Sequence, residues 1–185
     1  MIDENAFGIL IANHAVEDEE YALSREEFVA RCESFRRTMR AHVRERRLGA
    51  SVRALDLGHA FYLEVADGDH ADGPLAWAKA ARALLAEAGY ETVGIVSHGS
   101  RWVDEEEAFP GTEHLGEVSL VTLSNPSEPF RRALAAETAT HGEGEDAWGA
   151  GLYLDTEAAE ALGLTPKNAP TVLDAGGASF FRAGR

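Results

Sequence analysis

Cysteine is nearly missing from this chain, and lysine is scarce. The 185 residues hold one cysteine, Cys32, which excludes an internal disulfide and any zinc site built on several thiolates, and which fits a reducing compartment. Cys32 falls inside a helical pattern with no motif around it, so it reads as a core residue rather than a nucleophile. No apolar run approaches the roughly 18 residues of a membrane span. The opening Met1-Ile2-Asp3-Glu4-Asn5 carries no basic segment ahead of an apolar one, so no secretory leader is expected and the expected location is cytoplasmic. Also missing are the G-x-x-x-x-G-K-[ST] and G-x-G-x-x-G loops that cradle phosphates, and an H-x-x-x-H pair that would start a zinc site on a helix. No cofactor and no metal is expected. There is no internal repeat and no low-complexity tract.

Acid, by contrast, is abundant. Net charge is −15 and the sequence pI is near 4.8. Residues 1–24 hold six acids and no Lys or Arg, residues 25–53 hold nine Arg against four Glu, and residues 54–185 hold eight basic against 22 acidic residues. One basic segment therefore sits in an acidic chain. Such a field repels phosphates, so neither nucleic acid nor an anionic membrane is an expected partner. It suits a basic protein.

The periodicity predicts an α+β fold. Ala6–Ala12 is a continuous apolar run that reads as a buried strand, and Glu17–Glu20 as an acidic loop. Ser24-Arg25-Glu26-Glu27 has the form of a capping box, which starts a helix at Arg25 that runs to about Leu48 and stops at Gly49. Phe28, Cys32, Phe35, Met39 and Val43 form its apolar stripe. Val52–Ala66 alternates with period two around Gly58-His59, giving two strands joined by a turn or one bulged strand. Pro74 opens a helix that ends at Gly89. Thr92–Ser97 reads as a strand, Asp104–Gly116 as a long acidic loop, Glu117–Leu123 as a strand, and Asn125–Pro129 as the turn into a helix ending near Thr140. Gly142–Gly151 reads as a flexible loop. The tail reads as a strand, a short helix capped by Asp155 and ended by Gly163, and a hairpin turning at Gly176-Gly177. The expectation is one domain over residues 1–185, with residues 151–185 as a strand-helix-hairpin appendage. Its sheet is layered, mixed or mainly antiparallel, with three main helices and a C-terminal β-hairpin, because adjacent strands outnumber regular β-α alternations.

One segment invites a chemical reading. Ser97-His98-Gly99-Ser100-Arg101-Trp102 lies where a strand is expected to end, and strand ends leading into glycine expose polar side chains to a crevice. His-Gly-Ser-Arg resembles the motif of small cobalamin-type chelatases, and Ser-His-Gly resembles the histidine motif of caspase-like cysteine peptidases. The chelatase motif belongs to the first strand of its domain, whereas this one lies mid-chain; the peptidase requires a cysteine closing the next strand, and Ser119–Ser124 holds none. Asp67, Asp69 and Asp72 lack the spacing of a calcium loop.

Two functional expectations follow, with a third behind them. The first is a non-enzymatic interaction domain, of inhibitor, adaptor or immunity type, that meets a basic partner through Trp102, Glu105, Glu106, Glu107 and Trp148. The second is a small enzyme with a crevice of His98, Ser100 and Arg101 acting on an anionic small molecule. The third is a structural subunit of a homo-oligomer. A catalytic crevice would gather His98, Ser100 and Arg101 around one space.

Overall fold

The computed structural model describes residues 2–49, 52–70, 73–103, 113–115, 118–120, 127–141, 148–164 and 173–183. These residues build β1 (Ile2–Asn13), α1 (Val16–Ala22), α2 (Arg25–Glu45), β2 (Val52–Asp56), β3 (Ala60–Ala66), α3 (Pro74–Glu87) and β4 (Thr92–Val103). They continue with β5 (Glu113–Leu115), β6 (Val118–Leu120), α4 (Glu128–Thr140), β7 (Leu152–Asp155), α5 (Thr156–Ala161), β8 (Leu173–Ala175) and β9 (Ala178–Arg182). The strands form one mixed sheet in the order β5-β6-β2-β3-β1-β4-β7-β9-β8. The α+β expectation holds, with α2, α3 and α4 as the three long helices and β8-β9 as the C-terminal hairpin.

The apolar run in β1 places it at the centre. Strand parity sends Phe7, Ile9 and Ile11 to one face, where they pack with Phe35 and Met39 of α2, Trp77 and Leu85 of α3 and Ala158 of α5. Leu10 and Ala12 go to the other face, against Ala133 and Ala136 of α4. A strand covered on both sides must be apolar on both sides, which is why this run does not alternate.

Local signals act where they were expected. Ser24 and Glu27 form a reciprocal capping box. Pro74 sits in the first turn of α3, and Gly89 takes a φ of 80° just past its end. Gly58-His59 separates β2 from β3, so the two-strand alternative is the correct one. Gly176 and Gly177 both have positive φ, the conformation a two-residue hairpin turn demands.

Four expectations need correction. Glu17–Glu20 belongs to helix α1, because its acids crowd the first turn, where the helix dipole favours them, and Asn13 Oδ1 accepts from Ala15 N at 3.3 Å. Helix α2 ends at Glu45, and Gly49 instead bridges to His70. The strand expected to stop at Ser97 runs on to Val103, because β1 pairs with it residue by residue, from Asn13 with Thr92 to Ile2 with Val103. The expected acidic loop Asp104–Gly116 contains strand β5, because Glu113–Leu115 pairs antiparallel with β6; its other residues, and residues 142–147 of the glycine-rich stretch, lie outside the described residues. Among the described residues, no helix is long and apolar enough to cross a membrane.

Candidate active site

The extension of β4 turns the His98 segment from a loop into a strand, and a strand distributes its side chains over opposite faces. His98 joins the α2–α3 side and Arg101 the α4 side. Arg101 is buried and pairs with Glu4 through Nε (2.8 Å) and with Glu64 through Nη1 (3.4 Å). Ser100 directs its N–H to Glu128 Oε2 at 3.2 Å, and its hydroxyl lies 3.5 Å from the same oxygen. The expected three-residue crevice is therefore not formed: each member faces a different partner.

His98 is the best seated of the three. Its backbone N–H donates to Asp155 Oδ2 at 3.1 Å, and its carbonyl accepts from Arg132 Nη1 at 2.8 Å. Its Nε2 lies 3.3 Å from Asp67 Oδ2, and its ring packs 4.7 Å from Phe7, which also meets His70 edge-on at 5.4 Å. His98 is 8% exposed, whereas the Asp67 side chain is 44% exposed, so the pair spans the boundary between core and solvent. Gly99 makes room for this arrangement, since a Cβ there would come within 2.8 Å of Glu128 Oε2.

The supporting groups form a charge network. Arg132 meets Glu128, Glu157 (2.8 Å) and Asp155 (3.6 Å). Burial alone would lower the Arg132 pKa, but these carboxylates outweigh it and hold the guanidinium above its ordinary value. Burial pushes the Asp155 carboxyl up, opposed by the N–H groups of Ala158 and His98 and by Arg132. On the α4 side, Glu64 accepts from the Tyr62 hydroxyl at 2.8 Å and from Ser127 Oγ at 2.5 Å. Burial, with Glu64 beside it, drives the Tyr62 phenol well above its ordinary value. Ser127 also caps α4, so the Glu64 cluster anchors that helix. Two carboxylates already neutralise Arg101, which leaves it no charge to offer an anionic ligand.

Sequence reasoning missed Asp67, Arg132 and Glu64. Asp155 was visible as a helix cap, but its second role, on His98 N–H, comes from a strand 57 residues away. Of the expected contact residues, Glu105, Glu106 and Glu107 lie outside the described residues, as does the side chain of Trp102. Trp148 is half-buried, with ring contacts to Tyr153 at 5.2 Å and Phe180 at 5.5 Å. Among the described residues, no three His, Cys, Asp or Glu side chains converge to hold a metal ion.

No family model matches the chain, and no curated protein matches it by sequence. Its fold does match solved structures. The crystal structure of the adenylyl cyclase CyaB from P. aeruginosa superposes with a TM-score of 0.62 over 100% of this chain and 96% of that one, at 8% identity. The crystal structure of the guanylyl cyclase Cya2 gives 0.48 over 98% and 92%, at 9% identity. The expectation of a non-enzymatic interaction domain is corrected here. It rested on charge and on the lack of catalytic motifs, whereas the fold is similar to that of a solved adenylyl cyclase.

Proposed function

We propose that this chain is a small enzyme that acts on an anionic small molecule, with His98 as its acid–base group. The supporting observation is the seat of His98: a nearly buried residue held at its backbone N–H, its backbone carbonyl and one ring nitrogen, with a carboxylate as the ring partner. A hydrogen bond to one ring nitrogen of an imidazole decides which proton state the other presents. With Nε2 directed at Asp67, Nδ1 is the nitrogen that exchanges a proton with substrate. A positioned acid–base group contributes about 10²- to 10⁴-fold to rate.

Nucleoside triphosphates are the first substrates to test, because the fold is shared with an adenylyl cyclase. The reading also puts the protein in the cytoplasm, in keeping with its lone thiol. The test is incubation of the full chain with a panel of nucleotides and other phosphorylated metabolites in the presence of divalent cations, with products identified by mass spectrometry. His98→Ala is expected to lower turnover by about 100-fold and Asp67→Asn by about tenfold, with the fold retained by circular dichroism. Full turnover in His98→Ala, or no turnover of any compound by the parent chain, would overturn the proposal.

A further inference from the structure

The other end of β4 holds a cleft of a different kind. It lies between the C-terminal half of α3 and the strands β7 and β9, with a volume of about 520 Å³. Lys79, Arg82 and Arg182 line it against one acid, Glu91. Residues 54–185 hold eight basic residues against 22 acids, so the convergence of three cations there is a feature of the fold rather than of composition.

Both arginines are seated by construction. The Arg82 stem lies over Gly94, where a Cβ would come within 2.7 Å of Arg82 Cδ. Its Nε and Nη2 donate to the Thr92 carbonyl at 3.3 and 2.9 Å, which leaves Nη1 without a protein partner among the described residues. Arg182 lies over Gly151, where a Cβ would meet Arg182 Nε at 2.9 Å and the Tyr153 ring at 3.1 Å. One of its Nη groups donates to the Ala150 carbonyl. Among the described residues, neither guanidinium pairs with a carboxylate. They lie near enough that Arg182, after burial, is the second cause holding the Arg82 pKa down. Two half-fixed guanidiniums that repel each other, each held by a backbone carbonyl and each with donors to spare, form a fork for a tetrahedral dianion. Ala83, Ala86 and Leu152 give the same cleft an apolar wall.

We infer that this cleft is a binding site for an organic phosphate, with the phosphate between Arg82 and Arg182 and the organic group against the alanine wall of α3. His98 lies six residues along β4 from Thr92, about 20 Å at a strand's rise, so this site is separate from the His98 seat and does not depend on the enzymatic reading.

The test is calorimetric titration of the full chain with inorganic phosphate and with phenyl phosphate, at constant ionic strength set with sodium chloride. Both are expected to bind, phenyl phosphate more tightly by about tenfold for the area its ring buries. Arg82→Gln and Arg182→Gln are each expected to weaken both by tenfold or more. Arg82→Lys, which keeps the charge and removes the fork, is expected to fall between parent and Gln variant. Because none of these substitutions opens the core, circular dichroism should match the parent, and binding by Arg82→Lys keeps the test valid if a Gln variant misfolds. Absence of binding, or affinity unchanged in Arg82→Gln and Arg82→Lys, would overturn the inference. Equal affinity for phosphate and phenyl phosphate would overturn the organic part of it.

Discussion

At the Val103 end of β4, Arg101 meets two carboxylates and Arg132 meets three; at the Thr92 end, Arg82 and Arg182 lie together and meet none among the described residues. The strand, the sheet and the side-chain type are the same. What differs is whether the neighbouring elements deliver acids. Helix α4 delivers Glu128, and β1 and β3 deliver Glu4 and Glu64, whereas α3 presents alanines to the opposite end. A buried cation whose partners come from the fold is a structural device, and one without such partners leaves its charge available for a ligand.

The sharpest way to break this comparison is to remove one arginine from each end. Arg101→Met leaves Glu64 buried with its charge unmatched, and is expected to cost about 3–5 kcal/mol in urea unfolding. Arg82→Met removes a cation that no carboxylate depends on, and is expected to change stability by less than about 1 kcal/mol in either direction. Equal losses would mean that the Thr92 carbonyl depends on Arg82 as strongly as Glu64 depends on Arg101.

The glycines beneath these side chains sharpen it further. Gly94→Ala drives a methyl into Leu152 Cδ1 at 2.9 Å as well as into Arg82. Because Leu152 is core, a loss of about 2–3 kcal/mol in the free energy of unfolding is expected. Gly99→Ala meets Glu128, a flexible side chain, first at its carboxylate, and is expected to cost about 1 kcal/mol. If Gly99→Ala cost as much as Gly94→Ala, the Glu128–Arg132 arrangement would be rigid rather than adjustable.

The smallest effect concerns His42, a third way for a buried base to lack a counter-charge. Its ring packs 4.7 Å from Trp77, and among the described residues its Nε2 has no hydrogen-bond partner. Burial first, and then Arg46, lowers its pKa from 6.5. An arginine in that position keeps its proton, but a histidine sheds it. The unfolded chain therefore binds the proton more readily than the folded one. Stability from this group is full above about pH 6.5 and is lost as pH falls from there through the folded value. His42→Leu is expected to flatten the fall in melting temperature between pH 7 and pH 5. An unchanged slope would assign the fall to other groups.

Much of the fold was legible in residues that act on their own neighbours. Ser24 and Glu27 are three apart, Asp155 caps Ala158 three residues on, and Gly176-Gly177 closes a hairpin between adjacent strands. The site was legible only as the name of one residue, His98. Its partners Asp67 and Asp155 stand 31 and 57 residues away, and no local pattern marks an aspartate for either role. The expectation that β4 would end at Ser97 failed for a related reason. Gly99 looks like a strand breaker until Glu128 is seen packing in the space its missing side chain leaves.

Taken alone, the sequence determined most of the alternation of elements, the starts of α2, α3 and α4, the turn glycines and the acidic charge, because each depends on contacts within a few residues or on a sum. Only the tertiary structure decided which arginines are neutralised and which remain open, and that His98 meets a carboxylate. Those outcomes depend on strand pairing that brings together residues as distant as Glu4 and Arg101, 97 positions apart. Pairing energies of that kind exist only after the sheet has closed around them.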